Sequence, residues 1–306
     1  MKQDIVFSNR DCLICGKIGH PKRFFSFYVF GQKIYCVQCR NCGLIYVNPM
    51  PILSLDILDD LYSEKLLSDY QRMSSGPDIP MLQITKNAME KQIREIKKYT
   101  PQGKILDVGC GSGWFLKVSI ENGYEAFGTE VSKRLCDYVK TQGINIFHGF
   151  LEEARFDAKL FDFIHLRHVI EHLPNPDAVF KEAKRILKDD GLVFVQSPNT
   201  EILNTNILLH ANKFLGGGKL REASIPDPPY HLYGFSLKNI TSLLQRTGFR
   251  IVKSFIIKGY HKIYWAYDPE WDTISNTKVP IYRRTLSAIK HSLIKGSQFV
   301  IFARKS

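Results

Sequence analysis

The stretch ILDVGCGSGWFL, residues 105–116, constrains this chain more than any other. Ile105, Leu106 and Val108 read as a short buried strand, and GWFLKVSIENG as the helix that follows. Gly109, Gly111 and Gly113 then fall in a strand-to-helix turn, where the unpaired N–H groups of the helix start face a ligand. A dinucleotide fingerprint would read G-x-G-x-x-G, whereas the spacing here is G-x-G-x-G with bulky Trp114 and Phe115 next. No Lys-Ser/Thr pair follows, which removes a triphosphate-binding loop.

Asp107, two residues before the first glycine, would repel a pyrophosphate and favour a ligand carrying an ammonium group. A second strand, EAFGTEV, brings Glu130 to the distance at which an acidic residue accepts hydrogen bonds from ribose hydroxyls in nucleotide-binding α/β folds. An adenosine-bearing ligand with a positive rather than a phosphate end is S-adenosylmethionine.

The alternation continues along the 306 residues. Strand INIFHG leads to FLEEARF, strand FDFIHLR to HVIEHLPNPDAVFKEAKRIL, and strand GLVFVQSPN to a long irregular stretch. Helix SLKNITSLLQRTGF, with Ser236 as its N-cap, and strands RIVKSFII and SQFVIFAR complete the pattern. Strands alternating with helices predict a mostly parallel sheet covered on both faces, with ligands at the strand C-terminal ends.

Five of the seven cysteines lie before residue 43. Cys12-x-x-Cys15-Gly16 and Cys39-x-x-Cys42-Gly43 are matching knuckles, and the aromatic run RFFSFYVFGQKIYCVQ between them reads as a hairpin broken at Gly31-Gln32. Four thiolates suit a closed, structural zinc site. Cys36 also forms a Cys-x-x-Cys pair with Cys39, but only Cys42 is followed by glycine, so the expected ligands are Cys12, Cys15, Cys39 and Cys42. The expected organisation is a zinc-ribbon module over residues 1–50, a helical connector over 51–100, and an α/β domain over 101–306 with a substrate-side lid at about 200–234.

The formal charge of +12 is compatible with an anionic substrate or a nucleic acid. The Lys and Arg residues are scattered over helical segments such as KQIREIKKY, as on a solvated helix face, so a nucleic-acid surface is not favoured. The first residues lack the apolar region of a secretory signal, and no apolar run is long enough to span a bilayer, so the expectation is a cytoplasmic protein.

Residues 103–306 resemble the class I S-adenosylmethionine-dependent methyltransferases, through LDVGCGSG, GTEVS, FDFIHLRHVIEHLPNP and GLVFVQSPN. Several such enzymes also begin with a zinc ribbon ending in a phrase like CRNCGLIYVNP. The resemblance implies a Rossmann-like seven-stranded sheet whose last strand is antiparallel. It implies cofactor contacts from Asp107 near the methionine amino group, from Gly109, Cys110, Gly111 and Gly113, and from Glu130 at the ribose. Val131, Phe150 and Leu151 would border the adenine, and Arg167 and His168 would line the methionine and transfer region. Zinc-ribbon members of this kind often modify sugars or polysaccharide precursors.

His168-Val-Ile-Glu171-His172 also spells H-x-x-E-H, a metallopeptidase signature that requires both histidines on one helix. Pro174 and Pro176 follow at once, so a helix here would last barely a turn, and Glu171 and His172 are expected to brace the cofactor loop instead. The long stretch after residue 199 carries Gly216–Gly218, with Lys213, Lys219 and Arg221 as candidates for holding an anionic group. For proton removal from a hydroxyl acceptor, His231 and His168 are the candidate bases, and Asn199 could orient the acceptor. The expected activity is methyl transfer to a small-molecule acceptor of the sugar or polysaccharide-precursor class. The alternatives are an RNA or protein methyltransferase that binds its polymer through the ribbon, and a non-catalytic cofactor-binding protein.

Overall fold

The computed structural model describes residues 5–16, 21–62, 79–201, 226, 228–257 and 298–306. Lys213, Lys219, Arg221 and the Gly216–Gly218 run lie outside the described residues, as does residues 63–78 of the connector.

Seven strands form the central sheet in the order β12-β13-β10-β9-β6-β7-β8. They are β6 (Gly103–Val108), β7 (Tyr124–Glu130), β8 (Asn145–His148), β9 (Phe161–Arg167), β10 (Leu187–Pro198), β12 (Phe249–Ile257) and β13 (Gln298–Lys305). β6 pairs in parallel with both β7 and β9, while β13 runs antiparallel to β10 and β12, as the resemblance implies. Because side chains alternate along a strand, the two faces bury different residues. Leu106, Ile164, Leu166 and Val193 pack on one face with α4 (Pro176–Ile186) and α5 (Leu237–Arg246). Ile105, Phe163 and Phe194 pack on the other with α1 (Ile79–Lys97) and α2 (Trp114–Glu121). The helix α3 (Lys133–Thr141) covers β7 and β8, capped by Ser132.

Three sequence expectations change in detail. Pro51 and Ile52 are not helical: they belong to β5 (Met50–Ile52), which pairs with β1 (Val6–Ser8). The second half of the connector is no tether, because Met89, Ile93 and Ile96 of α1 are buried against the sheet, each contributing about 1.5–3 kcal/mol by burial. The helix after β9 begins at Pro176, beyond the interruption that the prolines predict, with the Asn175 side chain accepting the Ala178 N–H, but β10 starts earlier than the GLVFVQSPN run, with a register shift between Leu187 and Leu192.

The cysteine module is a second sheet, β11-β4-β3-β2, made of β2 (Lys22–Val29), β3 (Gln32–Gln38), β4 (Ile45–Asn48) and β11 (Tyr233–Gly234). The hairpin turns at Phe30-Gly31, one residue before the Gly31-Gln32 break expected from the sequence, because Gln32 already pairs with Val29. Its fourth strand comes from a part of the chain remote in sequence: Tyr233 pairs with Tyr46. Arg246 of α5 donates to the carbonyls of Leu13 and Ile14, and Asn239 donates to that of Cys42. Cys12, Cys39, Leu44 and Tyr46 share one core with Leu232, Phe235 and α5. The module is therefore fused to the sheet's flank.

Candidate functional site

The glycine turn has the left-handed backbone its sequence calls for. Gly109 has φ 64°, and a Cβ there would lie 2.7 Å from Val169 Cγ2. Gly111 has φ 56° and nothing within 4 Å of such a Cβ, so its backbone borders open space. Val169 belongs to the turn after β9, so that turn and the glycine loop pack directly together.

Glu130 ends β7, buried, with its carboxylate accepting three backbone N–H groups: Gly111 at 2.9 Å, Val131 at 2.9 Å and Ser132 at 3.0 Å. Burial pushes this carboxyl above its usual range, against the pull of those donors. Three of about four acceptor sites are used, which leaves room for a hydroxyl. Asp107 and His165 face each other in register across β6 and β9, with Asp107 Oδ1 2.7 Å from His165 Nδ1. Burial lowers the His165 imidazole, so Nδ1 carries the proton it donates to the carboxylate. Phe115 stacks on the ring at 3.9 Å and Phe194 at 4.8 Å. This clamp on Asp107 escaped the sequence reading; a polar residue within the apolar run FDFIHLR was its only signal. Burial also lowers Arg167, to about 10, with Asp107 acting in the opposite sense, so it stays cationic. Burial first, then Asp107 and Glu130, drive the Cys110 thiol well up, leaving it neutral.

Phe150 and Leu151 open a short 3-10 turn held to the end of β7 by the Gly149 N–H on the Glu130 carbonyl. Val131 offers its carbonyl to His148 Nε2. The expected cofactor residues thus converge on the C-terminal edges of β6, β7 and β9. A roof that the sequence did not reveal is formed by helical residues 55–62: Asp59 accepts the Lys133 N–H, and Tyr62 Oη lies 2.9 Å from His172 Nδ1.

Residues 168–172 form a turn, not a helix, which removes the peptidase geometry. His168 has φ 52°, an uncommon backbone for a residue with a Cβ, and its N–H donates to Gln196. Its Nδ1 lies 3.5 Å from Glu171 Oε1, and His172 Nε2 lies 3.9 Å from the same oxygen. Glu171 is buried, and although burial raises its carboxyl, His168, His172 and His231 outweigh that and hold it at about 2. His231 joins this group because the Glu171 carbonyl accepts the N–H groups of Leu232 and Tyr233. Asn199 is fully buried and accepts the Glu201 N–H, a turn-holding contact.

The four expected zinc ligands come together, with Cys12 Sγ 3.3 Å from Cys42 Sγ and Cys15 Sγ 3.5 Å from Cys39 Sγ. Thiolates around tetrahedral zinc sit about 3.8 Å apart, so the set fits that ion. Although burial alone would raise Cys39, backbone N–H groups of Cys42 and Asn41 bring its thiol down to about 7. Cys36 lies outside the cluster, buried in β3, and burial pushes it up to about 12.

Residues 82–254 match the family described as a methyltransferase domain. An uncharacterized protein of Methanocaldococcus jannaschii is 26% identical over 168 residues, 54% of this chain and 73% of its own length. A ubiquinone biosynthesis O-methyltransferase of Coxiella burnetii is 31% identical over 110 residues, 34% of this chain and 47% of that protein, so the chain spans about half the length of this relative. Among solved structures, a chain in the Haloferax volcanii complex between the Trm112 methyltransferase activator and a methyltransferase aligns at TM-score 0.53 and 14% identity, covering 81% of this chain and 96% of that one. An Archaeoglobus fulgidus S-adenosylmethionine-dependent methyltransferase aligns at 0.50 and 20%, covering 72% and 94%. These two likenesses show the fold. With more than half of its length inside the family match, and that fold around the glycine turn, the chain belongs to the methyltransferase-domain family and is an S-adenosylmethionine-dependent methyltransferase.

Proposed function

We propose that this enzyme methylates an oxygen of a small-molecule acceptor of the sugar or polysaccharide-precursor class. The carrying observation is the group of His168, Glu171, His172 and His231 beside the glycine turn, at the end of the sheet where the cofactor binds. The ubiquinone biosynthesis relatives are O-methyltransferases by name, which favours oxygen and a small acceptor.

The open space over Gly111 and the two buried acidic residues fit S-adenosylmethionine. When bound, it supplies a sulfonium methyl group that needs no further activation. Asp107, fixed by His165, holds the methionine ammonium; Glu130 holds a ribose hydroxyl; Gly109, Cys110, Gly111 and Gly113 let the backbone approach. Val131, Phe150 and Leu151 border the adenine, and Arg167 and His168 line the methionine end. Positioning then carries most of the rate; His168 is the base for the proton of the acceptor hydroxyl, and His231 helps to hold that hydroxyl. Cys12, Cys15, Cys39 and Cys42 hold a structural zinc ion.

Methyl-labelled S-adenosylmethionine incubated with sugars, sugar nucleotides, phenols, RNA and cell protein tests this. Label in a small molecule is expected. Label only in RNA or protein overturns the acceptor class, and bound cofactor without turnover overturns the enzymatic reading.

A further inference from the structure

The turn that abolishes the peptidase geometry creates a different one. Glu171, His172 and His231 each offer a ligand atom, all within 4.8 Å of one another. Glu171 Oε2 accepts the Ser197 hydroxyl at 3.1 Å, but Oε1, in a side chain 3% exposed, accepts no hydrogen bond. An ionised carboxylate oxygen withdrawn from water requires a cationic partner. His172 Nδ1 lies 2.9 Å from both the Tyr230 carbonyl and Tyr62 Oη, which hold the ring with Nε2 3.9 Å from that same Oε1.

We propose that Glu171, His172 and His231 hold a divalent transition-metal ion whose open coordination position takes an oxygen of the acceptor. Two imidazoles and one carboxylate with an open fourth position form a catalytic rather than a structural donor set. Donor atoms around such an ion lie about 3.3–3.6 Å apart, so the three side chains would draw together around it. His172 and His231 are half-buried, so an ion and an acceptor can reach them. The ring centroids of the two histidines are 4.6 Å apart with the rings tilted at 52°. The anchoring role rests on the methyltransferase reading above; the binding of the ion does not. His231 then acts through the ion rather than as a base.

Mn2+, which thiolates bind poorly, separates this site from the four-cysteine cluster. Electron paramagnetic resonance of free Mn2+ titrated with the full-length protein is expected to give one bound ion. Glu171→Gln and His231→Asn are expected to weaken binding by roughly 10- to 100-fold or more. Circular dichroism and cofactor affinity confirm that both variants fold. Co2+ provides the second reading: it is expected to give weak ligand-field bands without thiolate charge transfer, lost in the same variants. Neither ion binding, or equal binding by both variants, overturns the proposal. Cofactor binding on the same preparations keeps the two readings apart. Cofactor bound with no metal sinks only the metal site, whereas metal bound with no cofactor sinks only the assigned methyl-transfer site.

Discussion

The backbone N–H of Val47 donates to the carbonyl of Leu232 at 3.0 Å, tying a strand of the cysteine module to the residue after His231. The Leu232 N–H in turn donates to the Glu171 carbonyl at 2.8 Å. A single run of hydrogen bonds thus connects the module to the catalytic end of the sheet, and His231 sits where that run places it.

Cys39→Ser, which removes one ligand of the cysteine cluster and leaves Glu171, His172 and His231 intact, is therefore expected to lower the melting temperature and to reduce turnover more than cofactor affinity. Displacing His231 by about 1 Å is worth on the order of 100-fold in kcat. Metal analysis, thermal melts, kcat and cofactor titration measure the four quantities. An unchanged kcat in that variant would separate the module from the chemistry.

Asp107→Asn keeps an acceptor for His165 but removes the charge proposed to meet the methionine ammonium. Loss of one charge-assisted hydrogen bond, about 1.5–3 kcal/mol, corresponds to roughly 10- to 150-fold weaker cofactor binding. Combining it with Glu130→Gln is expected to weaken binding further in calorimetric titration. Affinity that survives the double substitution would place the cofactor elsewhere.

His165 carries a pH dependence of known sign. Burial holds its imidazole below the ordinary 6.5, against the pull of Asp107. Between the folded and unfolded values the unfolded chain binds more protons, so stability is complete above about 6.5 and declines as the pH falls through that window. The slope is at most about 1.4 kcal/mol per pH unit. His165→Phe keeps the stack between Phe115 and Phe194 but removes the titrating group. Urea unfolding at pH 5.5 and 7.5 is expected to show a smaller pH difference in this variant, with lower stability at pH 7.5 because Asp107 loses its donor.

Gly109→Ala and Gly111→Ala separate backbone from packing. Both place a Cβ at positive φ, about 1–2 kcal/mol each. Only at Gly109 does the new methyl meet Val169, so that variant is expected to lose about 1–3 kcal/mol more in chemical denaturation. Gly111→Ala, facing open space, is expected to fold nearly normally yet weaken cofactor binding, because the methyl enters the region the ligand needs.

How much of this was legible depended on distance along the chain. The glycine turn, Asp107 and Glu130 stand within one βαβ unit, where local spacing fixes geometry. The cysteine knuckles were legible because one ion demands one spacing. His165 was not, since its partner across the sheet is fixed by the register of β6 and β9, which no local pattern encodes. Tyr62 and β11 were hidden for the same reason, as each meets a segment remote in sequence. The H-x-x-E-H run could be set aside from its own neighbourhood: Pro174 and Pro176 argue against a helix there, and residues 168–172 form a turn with a left-handed backbone at His168.

The pairing of Tyr46 with Tyr233 also has a consequence in time. β4 leaves the ribosome ahead of the strand that completes its sheet, which follows on the order of 10–40 s later at ordinary elongation rates. Throughout that interval β4 presents an open edge, and nascent chains on one message could join at it. Early zinc capture, by fixing the knuckles beside that edge, would help the half-made protein wait for its own last strand.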